Sequence, residues 1–411
     1  MYELYPYFTN DGSVGLFSPE ADDIYHSTYG ALSEAYEKFI LPANLKDFLK
    51  KNNEIKILDI CFGIGYNSKS FLNFLLDFIY NDSIDTYNNK NNDKIYTNNK
   101  KLNIFHAGVR NNKKIKVFIH ALDTDKNLAL LSPFFVTNKK ITKDNKISFK
   151  QEKIERMLSK NTFQKFKLRK EVNILLLLRL VEYMDSEAFE ILANKKYSQF
   201  FDNDIIGLLR FLKQNNDNLY PLNKKLSFLH NIYYKYISFS YKKALNTLKL
   251  LDFNFKLDIA DARQSIKNDS QIYNYIFLDA FTPVKCPCLW TIDFFKELYK
   301  HLDKDGMILT YSNAALVRNA FLNAGFYVGK IFSESANKFT GTVAVKNKTL
   351  IKHELSEYDL GLLKTKAGIF YRDENLNLPN ETINSAHKNE VENSNLISSS
   401  KYIKLFKNLK S

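Results

Sequence analysis

The chain alternates short apolar runs with segments of helical periodicity. Apolar runs typical of buried strands occupy residues 55–63, 116–125, 253–262, 273–281 and 307–313. Segments with helical spacing, at 67–79 and 315–325, follow the first and the fifth of these runs. Two further apolar runs, at 326–332 and 338–347, are typical of a closing strand pair. This alternation predicts an α/β fold with a doubly wound, mostly parallel sheet. Right-handed crossovers then bring the strand carboxyl ends to one edge, where ligands bind.

Long polar or irregular segments interrupt this pattern. Residues 128–250 are far longer than a crossover helix and predict a mainly helical insert, while 81–101 are rich in Asn, Lys and Asp and predict a mobile loop. Residues beyond about 378 are polar and predict disorder apart from a short end helix. The expected organisation is a lid segment, two halves of one α/β domain around the insert, and a polar tail, with bounds 1–45, 46–127, 128–250, 251–375 and 376–411.

Positive charge is concentrated in the insert. The 411 residues carry a formal net charge of +14, and residues 139–170 contain twelve Lys or Arg against three acids. Such a block favours a polyanionic partner, with RNA or DNA ahead of an anionic membrane. The alternative is a solvated helix face in a Lys-rich chain. The N-terminus lacks a signal-peptide pattern and no apolar run is long enough to span a membrane, so a cytoplasmic protein with no membrane partner is expected.

The three cysteines limit the chemistry further. Cys61, Cys286 and Cys288 are too few for a disulfide framework. Cys286 and Cys288 flank one proline without a second Cys or His pair at zinc spacing, so no metal is expected.

A glycine-containing turn follows the first strand. Gly63 and Gly65 allow a tight turn that presents backbone N–H groups at the start of a helix. Ser68 occupies the position of the third glycine of the dinucleotide fingerprint, which argues against a nicotinamide cofactor.

Carboxylates mark the ends of four predicted strands. Asp123 is placed to accept hydrogen bonds from ribose hydroxyls, and Asp261 with Ala262 suits an adenine amino group. Asp59 and Asp279 belong to the central strands. A helix N-cap is the alternative for each acid alone. Together the four acids favour a cationic ligand that carries a nucleoside and no phosphate, which indicates S-adenosylmethionine.

Several stretches resemble the MnmC-type tRNA methyltransferases. They lie at 9–35, 58–68, 261–263, 277–291 and 367–373, and FLDAFTPVKCPCLWT at 277–291 is the most specific. The resemblance implies a class I, S-adenosylmethionine-dependent methyltransferase that methylates the aminomethyl group of the wobble uridine in tRNA, giving 5-methylaminomethyl(-2-thio)uridine. It further implies the stand-alone form without the flavin oxidase domain, the tRNA anticodon region as partner, and a functional link to the enzymes that install the aminomethyl group.

The resemblance also implies site residues. Cofactor contacts are expected at Asp59, Gly63, Gly65, Asn67, Asp123 and Asp261. The reaction site is expected around Asp279, Phe281, Pro283 and Trp290.

The reaction chemistry gives these residues roles. Asp279 is expected to accept a hydrogen bond from the substrate amine and to take its proton; capping of the following turn is the alternative. Phe281 and Trp290 are expected to be exposed and to stack on a splayed base, and packing against the next helix is the alternative for Trp290. Tyr25 and Glu34 are expected to close over cofactor and substrate.

Two other functions remain open from sequence. One is an aminopropyltransferase-like or methyltransferase enzyme of the same fold that acts on a small amine. The other is a non-catalytic RNA-binding protein on a methyltransferase scaffold.

Overall fold

The computed structural model describes residues 2–90, 114–137, 139–140, 149, 152–158, 163, 165–214 and 233–408, with backbone alone for 81–90, 152–153, 155 and 233–238. The segment 81–101, predicted as a mobile loop, is helical in its first part, because α3 runs from Tyr66 to Lys90. The rest of that segment, 91–101, lies outside the described residues.

A seven-stranded sheet forms the centre of the protein. Its strand order is β6-β5-β4-β7-β8-β10-β9. The parallel strands are β4 (Glu54–Ile60), β5 (Ile115–Asp123), β6 (Leu251–Ile259), β7 (Tyr273–Leu278) and β8 (Leu302–Thr310). β10 (Lys338–Val345) runs antiparallel to β8 and to β9 (Tyr327–Ser333). The predicted doubly wound, mostly parallel sheet and its closing strand pair are therefore present.

Both faces of the sheet are covered by helices. Alternate residues of β4 point to opposite faces, so that Ile57 and Leu58 belong to different buried clusters. One cluster includes α1 (Ala31–Ala35), α3 and α4 (Lys126–Leu131). The other includes α10 (Ala262–Lys267), α11 (Ile292–His301) and α12 (Ala315–Asn323).

Two additions extend this core at its N-terminal side and between β5 and β6. A small antiparallel sheet is formed by β1 (Pro6–Phe8), β2 (Val14–Ser18) and β3 (Asp23–Ile24), and α2 (Leu45–Lys51) leads into β4. The insert is mainly helical, as predicted. Its helices are α5 (Glu152–Met157), α6 (Lys170–Leu180), α7 (Ser186–Ala193), α8 (Asn203–Gln214) and α9 (Tyr233–Leu250).

The expectation that the chain is disordered beyond residue 378 is wrong. After α13 (Glu357–Leu363), the chain forms α14 (Asn380–Asn393) and α15 (Ser399–Asn408). Ile383 of α14 is buried in the second cluster, and Tyr402 of α15 contacts the Tyr358 ring. A few apolar residues suffice here because the folded body supplies the surface on which they pack.

No helix among the described residues has the length and apolar content needed to cross a membrane.

Candidate functional site

The turn after β4 is built on left-handed backbone conformations. Cys61, Gly63 and Gly65 have φ of 63°, 52° and 75°. The Gly63 N–H donates to Asp123 Oδ2 at 2.6 Å, which ties the turn to the end of β5. A Cβ on Gly65 would lie 2.4 Å from the Phe62 ring, so no side chain fits there. The second glycine therefore serves the packing of the turn, and the first leaves its backbone open to the cavity beside it.

Asp59 lies beneath this turn and not in the cavity. It is completely buried within β4 and accepts hydrogen bonds from the Ser68 N–H at 3.2 Å and the Ser68 hydroxyl at 2.5 Å. Burial raises the pKa of Asp59 to about 7. Ser68, whose presence argued against a dinucleotide site, thus fixes the first turn of α3 to the strand.

A cavity of about 610 Å³ opens at the carboxyl edge of the parallel strands. The turns after β4, β5, β6 and β7 contribute to its wall, together with the segment after β3. Eight of the predicted site residues line it: Tyr25, Glu34, Gly63, Asp123, Asp261, Ala262, Asp279 and Phe281. The other five lie outside its lining: Asp59, Gly65, Asn67, Pro283 and Trp290.

The cavity contains carboxylates with and without cationic partners. Glu34 pairs with Lys38 at 2.9 Å, and Asp261 pairs with Arg263 at 2.6 Å. Within the described part of the chain, Asp123 forms no ion pair. The same holds for Asp279. Burial raises the pKa of Asp123, and likewise that of Asp279, to about 6. Two half-buried carboxylates without ion-pair partners favour a positively charged ligand, whose charge would offset the desolvation of both.

Asp279 faces the cavity from the end of β7. It is half-buried, and its Oδ2 accepts a hydrogen bond from Asn67 Nδ2 at 3.0 Å. No described backbone N–H donates to its carboxylate, so capping of the following turn is not its role in this structure. Asn67, although outside the lining, orients this carboxylate through the amide.

Aromatic side chains form the wall next to Asp279. The Tyr25 and Phe281 rings are 4.9 Å apart at an angle of 59°. Tyr311 also lines the cavity and donates its hydroxyl to the Ala280 carbonyl at 2.8 Å. Glu34 accepts hydrogen bonds from the Ser27 N–H and hydroxyl at 3.1 and 2.7 Å, which holds the segment after β3 across the cavity.

The expectation that Trp290 is exposed is wrong. Its side chain is completely buried in the second cluster, and the indole N–H donates to the Phe281 carbonyl at 2.8 Å. The segment Pro287–Trp290 packs as a 3-10 turn before α11, which draws the ring into the core. Trp290 therefore supports the backbone of Phe281 from behind, and Pro283 is half-buried outside the lining.

Sequence reasoning missed a C-terminal segment of the wall, which we call the strap, residues 373–380. Leu378, Pro379 and Asn380 line the cavity. Arg263 Nη1 holds the strap by contacts with Asp373 Oδ2 at 2.6 Å and the Leu378 carbonyl at 2.9 Å. Arg263 is the last residue of the resembling stretch 261–263, and nothing in the composition of the strap indicates its position.

The chain is similar in sequence to known proteins. Residues 224–347 match the family described as S-adenosyl-L-methionine-dependent methyltransferase. The chain is 35% identical over 132 residues to an uncharacterized protein of Methanocaldococcus jannaschii, covering 32% of this chain and 36% of that protein. It is 34% identical over 89 residues to the tRNA 5-methylaminomethyl-2-thiouridine biosynthesis bifunctional protein MnmC of Campylobacter fetus, covering 22% of this chain and 14% of that protein.

A solved structure extends the likeness to the whole fold. The crystal structure of MnmC2 from Aquifex aeolicus superposes with a TM-score of 0.54 at 20% identity, covering 95% of this chain and 86% of that chain. The predicted fold class is thereby confirmed. The matches to the curated relatives named above span 36% and 14% of those proteins' own length.

Proposed function

We propose that this chain is an S-adenosyl-L-methionine-dependent methyltransferase of the MnmC type and methylates the aminomethyl group on the wobble uridine of tRNA. The family confirms S-adenosylmethionine as the cofactor. The observation that carries the proposal is the presence of two carboxylates without ion-pair partners, Asp123 and Asp279, among the described residues lining one cavity beside the Gly63 turn. The product would be 5-methylaminomethyl(-2-thio)uridine.

The residues on the β5 and β6 side fit the methyl donor. When bound, S-adenosylmethionine supplies an electrophilic methyl group on a positively charged sulfur. Asp123 would accept hydrogen bonds from the ribose hydroxyls, and Gly63 would allow close approach of the backbone. Ala262 and Asp261 would contact the adenine. Since Arg263 already binds both Asp261 oxygens, only the remaining lone pairs of that carboxylate serve the ligand.

The residues on the β7 side fit an amine acceptor. The amine must be neutral to attack the methyl group, so a carboxylate that takes its proton is useful. Asp279, ionised above about pH 6, accepts the hydrogen bond from the amine and the proton, and Asn67 keeps its orientation. Tyr25 and Phe281 would exclude water and stack on the extruded base. Most of the acceleration then comes from positioning the two reacting groups.

The basic part of the insert supports tRNA as the substrate. Lys165 pairs with Glu37 at 2.7 Å, and the Lys139 N–H donates to the Gly12 carbonyl at 3.1 Å, so the described part of 139–170 lies against the N-terminal segment. Lys143, Lys146, Lys150 and Lys160 lie outside the described residues. Positive charge near the cavity would bind the phosphates of an anticodon stem and loop. The proposal includes a cytoplasmic location and a functional link to the enzymes that install the aminomethyl group.

The experiment is methyl transfer by the purified full chain, read by mass spectrometry of the nucleosides. We expect tRNA carrying 5-aminomethyluridine to gain one methyl group on that nucleoside only when S-adenosylmethionine is present. Matched tRNA without the aminomethyl group is the control. Methylation of a free amine in place of tRNA would support the small-amine enzyme, and tRNA binding without donor binding would support the non-catalytic protein. Either result would contradict the proposal.

A further inference from the structure

Cysteine side chains lie at the cavity although the methyl transfer proposed above requires none of them. All three cysteines of the chain, Cys61, Cys286 and Cys288, line the cavity. The Sγ atoms of Cys286 and Cys288 are 3.7 Å apart, and both side chains are half-buried. The two residues flank Pro287, whose fixed φ keeps the short segment between them stiff.

We propose that Cys286 and Cys288 are a site of reversible oxidation, at which a small hydroperoxide converts the two thiols into a disulfide. A sulfur–sulfur bond of about 2.0 Å requires the sulfurs to approach by about 1.7 Å, which side-chain rotation can supply. The backbone on either side is already held. The Cys286 N–H donates to the Thr282 carbonyl at 3.0 Å, and the Cys288 N–H donates to Asn380 Oδ1 at 3.2 Å.

The three thiols differ in their surroundings. The sulfur–sulfur hydrogen bond and the Arg263 guanidinium lower the pKa of Cys288, whereas the same hydrogen bond and burial raise the pKa of Cys286. Burial holds the pKa of Cys61 well above its usual range. Because the thiolate is the nucleophile, Cys288 is the attacking residue, Cys286 resolves the intermediate, and Cys61 stays a thiol.

The oxidation balances with hydrogen peroxide as the named oxidant. The Cys288 thiolate attacks one peroxide oxygen, the O–O bond breaks, and the departing hydroxide takes up a proton to give water and a Cys288 sulfenic acid. The Cys286 sulfur then attacks Cys288 Sγ, the S–O bond breaks, and the second hydroxide leaves as water with the Cys286 proton. The two thiols lose two electrons and the peroxide gains them. A thiol reductant reverses the modification.

The disulfide would alter the donor side of the cavity. Cys288 is hydrogen-bonded to Asn380 of the strap and is close enough to the Arg263 guanidinium for that charge to lower its pKa, while Arg263 in turn holds Asp261. Movement of Cys288 toward Cys286 would displace this wall. This consequence, which depends on the proposed function, is weaker binding of S-adenosylmethionine by the oxidised protein.

Peptide mass mapping of the folded full chain tests the site itself. Cleavage after Lys285 and Lys296 leaves both cysteines in peptide 286–296, and cleavage after Lys56 and Lys69 leaves Cys61 in another peptide. After hydrogen peroxide treatment and alkylation, we expect peptide 286–296 to escape alkylation and to be about 2 Da lighter than its dithiol form. Cys61→Ser should keep this change, whereas Cys286→Ser and Cys288→Ser should each abolish it.

Two results would overturn the site: alkylation of both thiols at peroxide concentrations that oxidise the unfolded chain, or a disulfide between either residue and Cys61. Calorimetry with S-adenosylmethionine tests the consequence. We expect affinity to fall about tenfold on oxidation and to return with dithiothreitol, and to be insensitive to peroxide in Cys288→Ser, which lacks the attacking thiol. Equal affinity with the disulfide in place would contradict the coupling, whereas no binding by the reduced protein would contradict the proposed function.

Discussion

At the scale of single residues, the surroundings of Asp279 determine what its carboxylate does. Burial raises the pKa of Asp279 to about 6, and its one described hydrogen bond comes from Asn67. An aspartate kept this close to neutrality accepts a proton more readily than an exposed one, yet remains ionised at pH 7. Its position at the end of β7, beside Phe281, brings this chemistry to the wall that would hold the base.

Replacement of this carboxylate is the first test of its role. We expect Asp279→Asn to lower kcat by about 10²–10⁴-fold, because the amide keeps the shape but cannot take a proton. Asp22→Asn is the matched control, since that side chain is 81% exposed and is not part of the cavity lining. Single-turnover kinetics with saturating donor give the rate. Turnover of Asp279→Asn within threefold of the wild type would remove the residue from the mechanism.

The pH dependence of kcat gives a second test. The raised pKa of Asp279 means that the proton acceptor is lost as pH falls through about 6. Protonation of the substrate amine lowers the rate in wild type and variant alike. In a plot of log kcat against pH, the slope for the wild type should therefore increase by one unit below about pH 6. The slope for Asp279→Asn should stay the same over this range. A profile with the same slopes in both proteins would contradict this assignment.

The sequence was sufficient to identify residues around the site, but it could not predict the direction in which each side chain points. The pattern of acids at strand ends placed Asp59 and Asp123 in the same group. In the structure Asp123 lines the cavity, while Asp59 points to Ser68 beneath the turn. The burial of Trp290 was also not predictable, because it depends on core residues from distant parts of the chain. Such partners leave no signal in the spacing of the motif itself.

At the scale of elements, the strap is the largest departure from the sequence-based expectation. Residues 373–380 are polar, and their order depends on partners more than a hundred positions earlier. Gln264 Nε2 donates to the Leu376 carbonyl at 2.7 Å, and Arg263 binds Asp373 and Leu378. Helix and strand periodicity identifies elements that carry their own apolar face, whereas an irregular segment held by side chains such as Arg263 and Gln264 shows none.

Loss of the strap contact should affect both stability and donor binding. The Asp373 side chain is fully buried, so Asp373→Asn leaves the Arg263 guanidinium with only Asp261 as a charged partner. Breaking a buried ion pair in this way costs about 3 kcal/mol. We expect a lower melting temperature and weaker S-adenosylmethionine affinity by calorimetry, because the strap lines the cavity.

Arg372→Gln is the control for that variant. Its side chain is 55% exposed and lies 3.7 Å from Glu390, a surface pair worth at most about 1 kcal/mol. If Asp373→Asn had the melting temperature and donor affinity of Arg372→Gln, the strap would have no part in the donor site.

At the scale of the whole molecule, the alternation of apolar runs was sufficient to predict the sheet. Each predicted strand has its counterpart among β4 to β10. The central strands β4 and β7 are mostly apolar because both of their faces are covered, whereas the edge strand β6 alternates buried and exposed positions. The helical character of the insert was also predictable from composition and spacing. Its placement was not, since contacts such as Lys165 with Glu37 join positions 128 residues apart.

This placement leads to a prediction about tRNA binding. The exposed residues Lys139, Lys140, Lys165 and Lys167 belong to the part of the insert next to the N-terminal segment. Each phosphate contact contributes about 0.7–0.9 to the slope of log affinity against log salt. Changing all four lysines to Gln should weaken tRNA binding and reduce that slope by up to about 2.8–3.6, with S-adenosylmethionine affinity unchanged.

A matched set at the other end of the sheet separates this effect from total charge. Lys114, Lys300, Lys304 and Lys348 are exposed near the amino ends of β5 and β8 and the end of β10, at the edge away from the cavity. Their replacement by Gln removes the same net charge. Binding titrations at several salt concentrations should show an almost unchanged slope for this set. Equal slopes for the two quadruple variants would mean that the insert is not the RNA-binding surface and that tRNA is attracted only by overall charge.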